Sequence, residues 1–294
     1  MIENEFEERK LIRVDIGKNK FILVDSIQGS KMLFNRHPYR NKYDNHFLTI
    51  FYNCWEKKET EFVKSFVKKG MRVVDVGANI GYYTLLLAKL VGESGNVHSF
   101  EPSDELMEIV RSSAGFNGYH NIVYHNCAVG DYEQEVVFDK KNFMVDEKRV
   151  VNDDHIQMCQ IDDSFGMIDF LKSDTDGHDG SVIIGMRDML INNDTVAMIE
   201  YFPEMWERVG TTPTEFFQFV QQFSLNCCVL EDDCHLVHYP VGELLRYPNR
   251  DSYTPIEDIL ASNFPDKTLI VSRLDDDRIL RGLSSYSEQI EPIV

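Results

Sequence analysis

Hydrophobic and polar positions along this chain follow distinct rhythms, and each rhythm predicts a different element. Between Leu11 and Val24 the apolar residues Ile12, Val14, Ile16, Phe21 and Leu23 alternate with polar ones around Gly17-Lys18-Asn19, which predicts a β-hairpin. Asn35 to Asn45 is rich in Asn, Arg, Tyr and His and reads as a loop. From Glu56 to Lys69, Phe62, Val63, Phe66 and Val67 recur at helical spacing and Gly70 follows as a stop, so a helix is predicted. At Arg72 the pattern changes to a short unbroken apolar run ending at Val76, as in a strand buried on both faces.

Helix and strand then alternate. A helix runs from about Ile80 to Val91, a strand from Asn96 to Phe100, and a second helix starts at Ser103 with Asp104 and Glu105 in its first turn. That helix ends near Asn117-Gly118, and Ile122 to His125 forms the third strand. Val136 to Phe138 and Gln157 to Ile161 read as further strands, and the apolar run Met167 to Leu171 follows. Ser181 to Asn192 is a helix, Val196 to Ile199 a strand ending at Glu200, and Pro213 to Phe223 a helix. Cys227 to Leu230, Leu236-Val237 and Thr268 to Val271 supply late strands. Alternation of this kind predicts an α/β, doubly wound, mostly parallel sheet with an antiparallel member near its end. Residues 1–69 form an N-terminal extension of hairpin, loop and helix, expected to cap a binding site, and residues 70–294 form the main domain.

Charge narrows the partners. The chain carries 49 acidic and 30 basic side chains, a formal net charge of −19. Such a surface repels a phosphate backbone, because nucleic-acid affinity comes mainly from Lys and Arg. It also lacks the polybasic face that anionic lipid attracts. The first residues, Met1 to Glu5, are acidic with no apolar stretch behind them, so no secretory signal is expected. The apolar run Leu85 to Val91 is far too short to span a bilayer. These features predict a soluble, cytoplasmic protein without membrane insertion; the oligomeric state is not legible. The six cysteines are irregularly spaced, which argues against a disulfide framework. Cys227, Cys228, Cys234 and His235 cluster, but the C-x₂-C spacing of a zinc site is missing, and small thiols in a hairpin are the preferred reading.

Three constellations carry chemistry. The first is the turn after the strand ending in Asp75. Gly77 allows close backbone approach, Ala78 follows, Asn79 tolerates positive φ where many nucleotide turns place a second glycine, and Gly81 opens the helix. The turn has neither a lysine nor the full G-x-G-x-x-G pattern, so a triphosphate is not expected. The second is Phe100-Glu101-Pro102, an acid at the end of the next strand, placed to accept hydrogen bonds from ribose hydroxyls. Asn126 and Cys127, leaving the third strand, lie where an adenine ring would sit. A nucleoside without phosphate fits this set, and S-adenosylmethionine has that shape. The third is Lys172-Ser173-Asp174-Thr175-Asp176-Gly177-His178-Asp179, with Glu200 at the end of the following strand. Crowded carboxylates suit a general base, and they also resemble an oxygen-ligand site for a divalent cation. An EF-hand is excluded, because the twelfth loop position counted from Asp174 is Gly185 rather than glutamate.

In their order, these residues resemble the FkbM-type S-adenosylmethionine-dependent methyltransferases. The resemblance rests on Asp75 to Gly81, Phe100-Glu101-Pro102, Asn126 to Asp131, Ile161-Asp162-Asp163, Leu171 to Gly177 with Gly185, and Ile199-Glu200, with Trp55-Glu56 ahead of the core strand. It covers about Tyr52 to Pro203. It implies a class I methyltransferase (Rossmann-like) fold with seven strands and O-methylation of a hydroxyl, of a sugar or glycan in many members and of a polyketide in others. Carried over by position, Asp75, Gly77, Ala78, Asn79, Gly81, Glu101, Pro102, Asn126 and Cys127 are the expected cofactor residues. Asp174, Asp176, His178 and Glu200 are the expected catalytic group, with Asp174 the first candidate for base and His178 the second. The family commonly has glutamate at the position of Asp176 and an alanine–glutamate pair at His178-Asp179, so the catalytic assignment departs from the pattern more than the cofactor assignment does. A divalent cation held by Asp174 and Glu200 is ranked below a metal-free mechanism. Tyr39, Tyr43, Tyr52 and Trp55 are candidates for stacking on sugar faces, or plain core aromatics. A nicotinamide oxidoreductase is disfavoured by Gly77-Ala78-Asn79-Ile80-Gly81, and a silent partner-binding module on the same fold is the remaining alternative.

Overall fold

The computed structural model describes residues 11–16, 19–35, 55–139, 144–145, 155–209, 211–231, 235–245, 267–274 and 278–279. Strands β1 (Leu11–Ile16), β2 (Asn19–Ile27) and β3 (Ser30–Asn35) form an antiparallel three-stranded sheet. Helix α1 (Lys57–Phe66) leads into β4 (Arg72–Val76), α2 (Tyr82–Val91), β5 (Asn96–Phe100), α3 (Asp104–Asn117) and β6 (Ile122–His125). Next come β7 (Ala128–Val129), β8 (Gln134–Asp139), β9 (Met144–Val145) and β10 (His155–Cys159), then β11 (Phe170–Ser173), α4 (Asp179–Gly185), α5 (Arg187–Asn192) and β12 (Val196–Tyr201). The remaining elements are α6 (Pro203–Val209), α7 (Pro213–Gln222), β13 (Asn226–Leu230), β14 (Leu236–Val237), α8 (Val241–Leu244) and β15 (Lys267–Ser272).

The main sheet has the order β14-β13-β15-β12-β11-β4-β5-β6. Strands β6, β5, β4, β11 and β12 run parallel, and β15 pairs antiparallel between β12 and β13. The order reverses between β4 and β11, and an open sheet of this kind binds ligands at such a switch, outside the carboxyl ends of the strands. This is the doubly wound, mostly parallel α/β sheet that the alternation of strands and helices predicts. It has eight strands rather than seven, because the two-residue β14 adds an edge beyond β13.

Side chains alternate across the sheet and build a core on each face. Val73, Phe170 and Met198 share one core with α1 and α2, while Val74, Val76, Leu171 and Ile199 share the other with α4, α6 and α7. The extension contributes to the first of these cores. Phe62 of α1 is fully buried, stacks on Phe66 at 5.8 Å and meets Phe170 of β11 at 6.5 Å. The three-stranded sheet docks on α3, where Asn117 Oδ1 accepts the Lys31 backbone N–H at 2.7 Å and Ser113 Oγ accepts that of Leu33 at 3.0 Å.

Several local expectations change. The hairpin has a third strand, β3, which pairs with β2 through an irregular register near Ile27. The helix expected over Ser181 to Asn192 is two helices broken at Met186. Gly185 closes the first, and a Cβ there would lie 2.5 Å from the Gly130 carbonyl, so close docking fixes the break. Helix α6 was not expected; Pro203 starts it, and Trp206, wholly buried, packs edge-on against Tyr201 at 5.1 Å and Phe216 at 5.0 Å. Strands β7 to β10 form a separate small sheet in the order β7-β10-β8-β9. One disulfide joins Cys127 to Cys159 despite the irregular spacing. Cys227 and Cys228 are free thiols, whereas Cys234, Tyr39, Tyr43 and Tyr52 lie outside the described residues. Among the described residues no helix is long and apolar enough to cross a membrane.

Because Phe62 joins α1 to β11, the extension helix is expected to unfold with the sheet. Phe62→Ala should cost about 3–5 kcal/mol, read by urea denaturation as one transition shifted to lower denaturant.

Candidate active site

The turn after β4 is tightly specified by its own backbone. Gly77 and Ala78 both donate their N–H groups to the Phe100 carbonyl, each at 3.0 Å. Asn79 donates its N–H to Glu101 Oε2 at 2.8 Å and adopts φ 50°, the left-handed conformation expected for it. Gly77 has φ 73°, and a Cβ on it would meet the Asp174 carbonyl oxygen. The close approach that glycine permits here is therefore to the chain's own β11 loop. Gly81, with φ 91°, packs against Val110 of α3, not against the strand.

Glu101 is the hinge between the two strand ends. Its Oε1 accepts the Ser103 N–H at 2.9 Å while Oε2 holds Asn79, and the residue is only 5% exposed. Burial pushes its carboxyl up to about 7 against the pull of those two backbone donors. Each carboxylate oxygen keeps capacity for a further donor. The N–H groups of Gly77 and Ala78 are already spent on Phe100, so they are not offered to a phosphate. The set fits a nucleoside held by its ribose hydroxyls, as S-adenosylmethionine would be. Asn126 braces the same corner, donating from Nδ2 to the Glu101 carbonyl at 2.8 Å and the Pro102 carbonyl at 3.2 Å. Cys127 spends its sulfur on Cys159, so it offers a ligand backbone and bulk only.

Asp75 is fully enclosed. It stands among the expected cofactor residues, yet alternation turns its side chain onto the face covered by α2. There its Oδ2 accepts the Thr84 hydroxyl at 2.5 Å, and its Oδ1 lies 3.7 Å from Lys172 Nζ. Lys172 is itself buried and pairs with Asp174 at 3.2 Å. Burial pulls its ammonium down, but Asp174, Asp75 and Glu56 outweigh that and push it above the ordinary lysine range. The result is a graded series from core to surface, from Asp75 through Lys172 to Asp174, whose side chain is 33% exposed.

The remaining predicted residues separate. Asp176 is exposed with φ 54°. His178 is buried at the start of α4, where it precedes Asp179. Asp179 is also buried and accepts the Ser173 hydroxyl at 2.6 Å; burial pushes its carboxyl up to about 7. Strand register sets Glu200, at the end of β12, beside the position of Asp174. Glu200 pairs in register with Thr268 of β15, whose hydroxyl donates to Glu59 of α1 at 2.5 Å. Thr84 is the polar residue that the sequence pattern left out, while Lys172 and Glu56 were named within motifs but given no role. Lys172 was detectable, since a lysine inside a buried strand needs a partner and alternation places it on the face of Asp75.

The sequence profile of the family described as Methyltransferase FkbM domain matches residues 75–227, a little over half of the chain. Among curated relatives, a protein-L-isoaspartate O-methyltransferase of Methanothrix thermoacetophila is 33% identical over 78 residues, which are 25% of this chain and 36% of that protein. One of the same name from Aeropyrum pernix is 42% identical over 62 residues, 21% of this chain and 23% of that protein. The matches thus span about a third or less of the relatives' own length. Among solved structures, methyltransferase FkbM from Methylobacillus flagellatus aligns over 78% of this chain and 55% of that chain, at 15% identity and a TM-score of 0.42.

Two outcomes are expected. Gly77→Ala should cost about 2 kcal/mol or more, because an L side chain at positive φ would also press on the Asp174 carbonyl; chemical denaturation checks it. The second concerns pH. The folded state holds the Glu101 proton more tightly than the unfolded chain does, so between about 4.5 and 7 the native state binds more protons and loses stability as pH rises. In Glu101→Gln the loss of unfolding free energy between pH 5 and pH 8 should shrink by about 1–3 kcal/mol, measured by urea titration at both pH values.

Proposed function

The chain belongs to the FkbM methyltransferase domain family, and from that membership we propose that it transfers a methyl group from S-adenosylmethionine to a hydroxyl oxygen of a sugar or glycan. A polyketide or other small natural product is the second acceptor class. The observation that carries the reading is the pairing of a ribose-type acid, Glu101, with two further acids at neighbouring strand ends, Asp174 and Glu200. When bound, the cofactor supplies a methyl carbon on a positively charged sulfur. The protein's part is to bind the nucleoside, to aim the acceptor and to receive a proton.

Glu101, Asn79 and Pro102 form the nucleoside end of the site. Asp174, anchored by Lys172, stands at the other end of the turn, where Gly77 touches its backbone. It is placed to accept a hydrogen bond from the acceptor hydroxyl and so to fix the oxygen in line with the methyl carbon, an arrangement that supplies much of the rate in such transfers. A carboxylate acceptor would meet the acids Asp174 and Glu200 at the neighbouring strand ends, which favours an uncharged hydroxyl. His178, enclosed at the start of α4, ranks below Asp174 for contact with the acceptor. A small-molecule or glycan partner, with no nucleic acid, is in keeping with a net charge of −19.

Calorimetric titration with S-adenosylmethionine and S-adenosylhomocysteine tests the cofactor. Stoichiometric binding is expected, weakened about 30-fold or more in Glu101→Ala. Asp174→Asn should bind within about threefold of the parent and lose about 10²-fold or more of methyl transfer to a panel of sugar hydroxyls, measured with labelled methyl. No binding to the folded parent protein would overturn the reading.

A further inference from the structure

Cys127 stands where the corner that holds Glu101 meets the small sheet. On its N-terminal side, the His125 carbonyl accepts the Glu101 N–H at 3.1 Å, and Asn126 Nδ2 donates to the carbonyls of Glu101 and Pro102 at 2.8 and 3.2 Å. On its C-terminal side β7 begins, and the Cys127 sulfur is bonded to Cys159, the last residue of β10. The two cysteines are 32 positions apart in sequence. The bridge thus ties the end of β6 to a segment whose strands pair apart from the main sheet.

The noncovalent pairing beside the bridge is short. It consists of Ala128 with Met158 and Val129 with Cys159, extended by the Gly130 N–H, which donates to the Cys159 carbonyl at 3.0 Å. Polar anchors of the small sheet lie on its other side, toward α4. Ser181 Oγ donates to Asp131 Oδ1 at 2.8 Å, and Gln160 Nε2 donates to the Gly185 carbonyl at 2.8 Å. Opening the bridge therefore frees the corner while these anchors keep the sheet in place. The opened state has a partner waiting: Cys159 Sγ lies 3.1 Å from the Ala128 carbonyl oxygen, an acceptor for the thiol once it carries a proton. Both cysteines are half-buried, within reach of a small reductant. A chain of 294 residues with a core on each face of its main sheet does not need a disulfide to fold, as a small secreted domain does.

Resting on the nucleoside assignment above, we propose that Cys127 and Cys159 form a dithiol–disulfide modification site that sets the affinity of the Glu101 corner for its nucleoside, tight while bridged and weak once reduced. The reagent is a dithiol. Its thiolate attacks one bridge sulfur, the sulfur–sulfur bond breaks and a mixed disulfide forms; its second thiol then expels the protein sulfur. Two electrons and two protons end on Cys127 and Cys159, and the reagent leaves as its own cyclic disulfide. An oxidised dithiol reverses the exchange. While the bridge is closed, residue 127 is fixed and Asn126 beside it keeps its two carbonyls, which holds Glu101 and Pro102 in one arrangement. Once it is open, that arrangement must be imposed by the ligand at a cost in affinity.

The test needs no acceptor. The full chain is oxidised with oxidised dithiothreitol or reduced with dithiothreitol, its bridge is assigned by peptide mapping, and each form is titrated calorimetrically with S-adenosylhomocysteine. The bridged form is expected to bind about tenfold more tightly. By reciprocity, saturating S-adenosylhomocysteine should make the bridge about tenfold harder to reduce, lowering its midpoint in a dithiothreitol redox buffer by about 30 mV. Cys127→Ser and Cys159→Ser should each bind as the reduced parent does and ignore dithiothreitol. Asn126→Ala should weaken the bridged form and remove most of the difference between the two forms, which a bridge acting on global stability alone would not do. Equal affinity of the two forms, or cysteines left unlinked after oxidation, would overturn the proposal while leaving the cofactor assignment intact. Binding to neither form would overturn both.

Discussion

One buried ammonium holds this end of the molecule together. A charge as enclosed as Lys172 is tolerable only when paired, since leaving it alone in the interior costs several kcal/mol. Its partners come from different elements: Asp75 from β4, Asp174 from the loop after β11, Glu56 from the start of α1. Tyr83 of α2 lays its ring 4.9 Å from the ammonium, adding a fourth element. Meeting one cation forces these segments into a fixed relation, and the Gly77 turn is locked into it by its contact with the Asp174 carbonyl. The crevice is therefore shaped from below by an electrostatic requirement before any ligand contributes.

The turn after β4 and the corner at Glu101 follow a different logic, built from backbone donors and one acid. Phe100 collects two N–H groups with its carbonyl, Glu101 collects two more with its carboxylate, and Asn126 ties the corner from the other side. Each partner lies within a few residues of a strand end, so the arrangement depends on local geometry and parallel register. A corner whose donors and acceptors are satisfied in this way is already ordered, without the cost that fixing a flexible loop incurs.

Legibility divided along the same line. The parallel strands and their helices were readable because unbroken apolar runs and helical spacing are strong signals, and the left-handed Asn79 followed from its residue type. What escaped was set by contacts between distant segments. Strand β3 depends on pairing across an irregular register, α6 on the burial of one tryptophan, and the break at Met186 on the docking of Gly185 against Gly130. In the site, Glu101 was visible from its place after a strand, whereas the face on which Asp75 lies had to be worked out from alternation. Glu56 was seen as part of a motif, but nothing in its neighbourhood along the chain announces Asp174 or Lys172. Gly130, Asp131 and Gly185 show the converse: they belong to the recurring pattern, yet Ser181 donates to Asp131 at 2.8 Å and the glycines pack backbone to backbone, so their duty is assembly.

Among the described residues, the non-glycine positions with positive φ are Gln28, Glu56, Asn79, Asp176 and Ser224, and the middle three lie before α1, in the turn after β4 and in the loop after β11. Backbone sign, rather than side-chain chemistry, thereby limits which substitutions the lineage can sample at these places. β-Branched residues are barred at all three, and drift is channelled toward glycine, asparagine and aspartate. Within that short set these loops can change charge while their path through space stays constant.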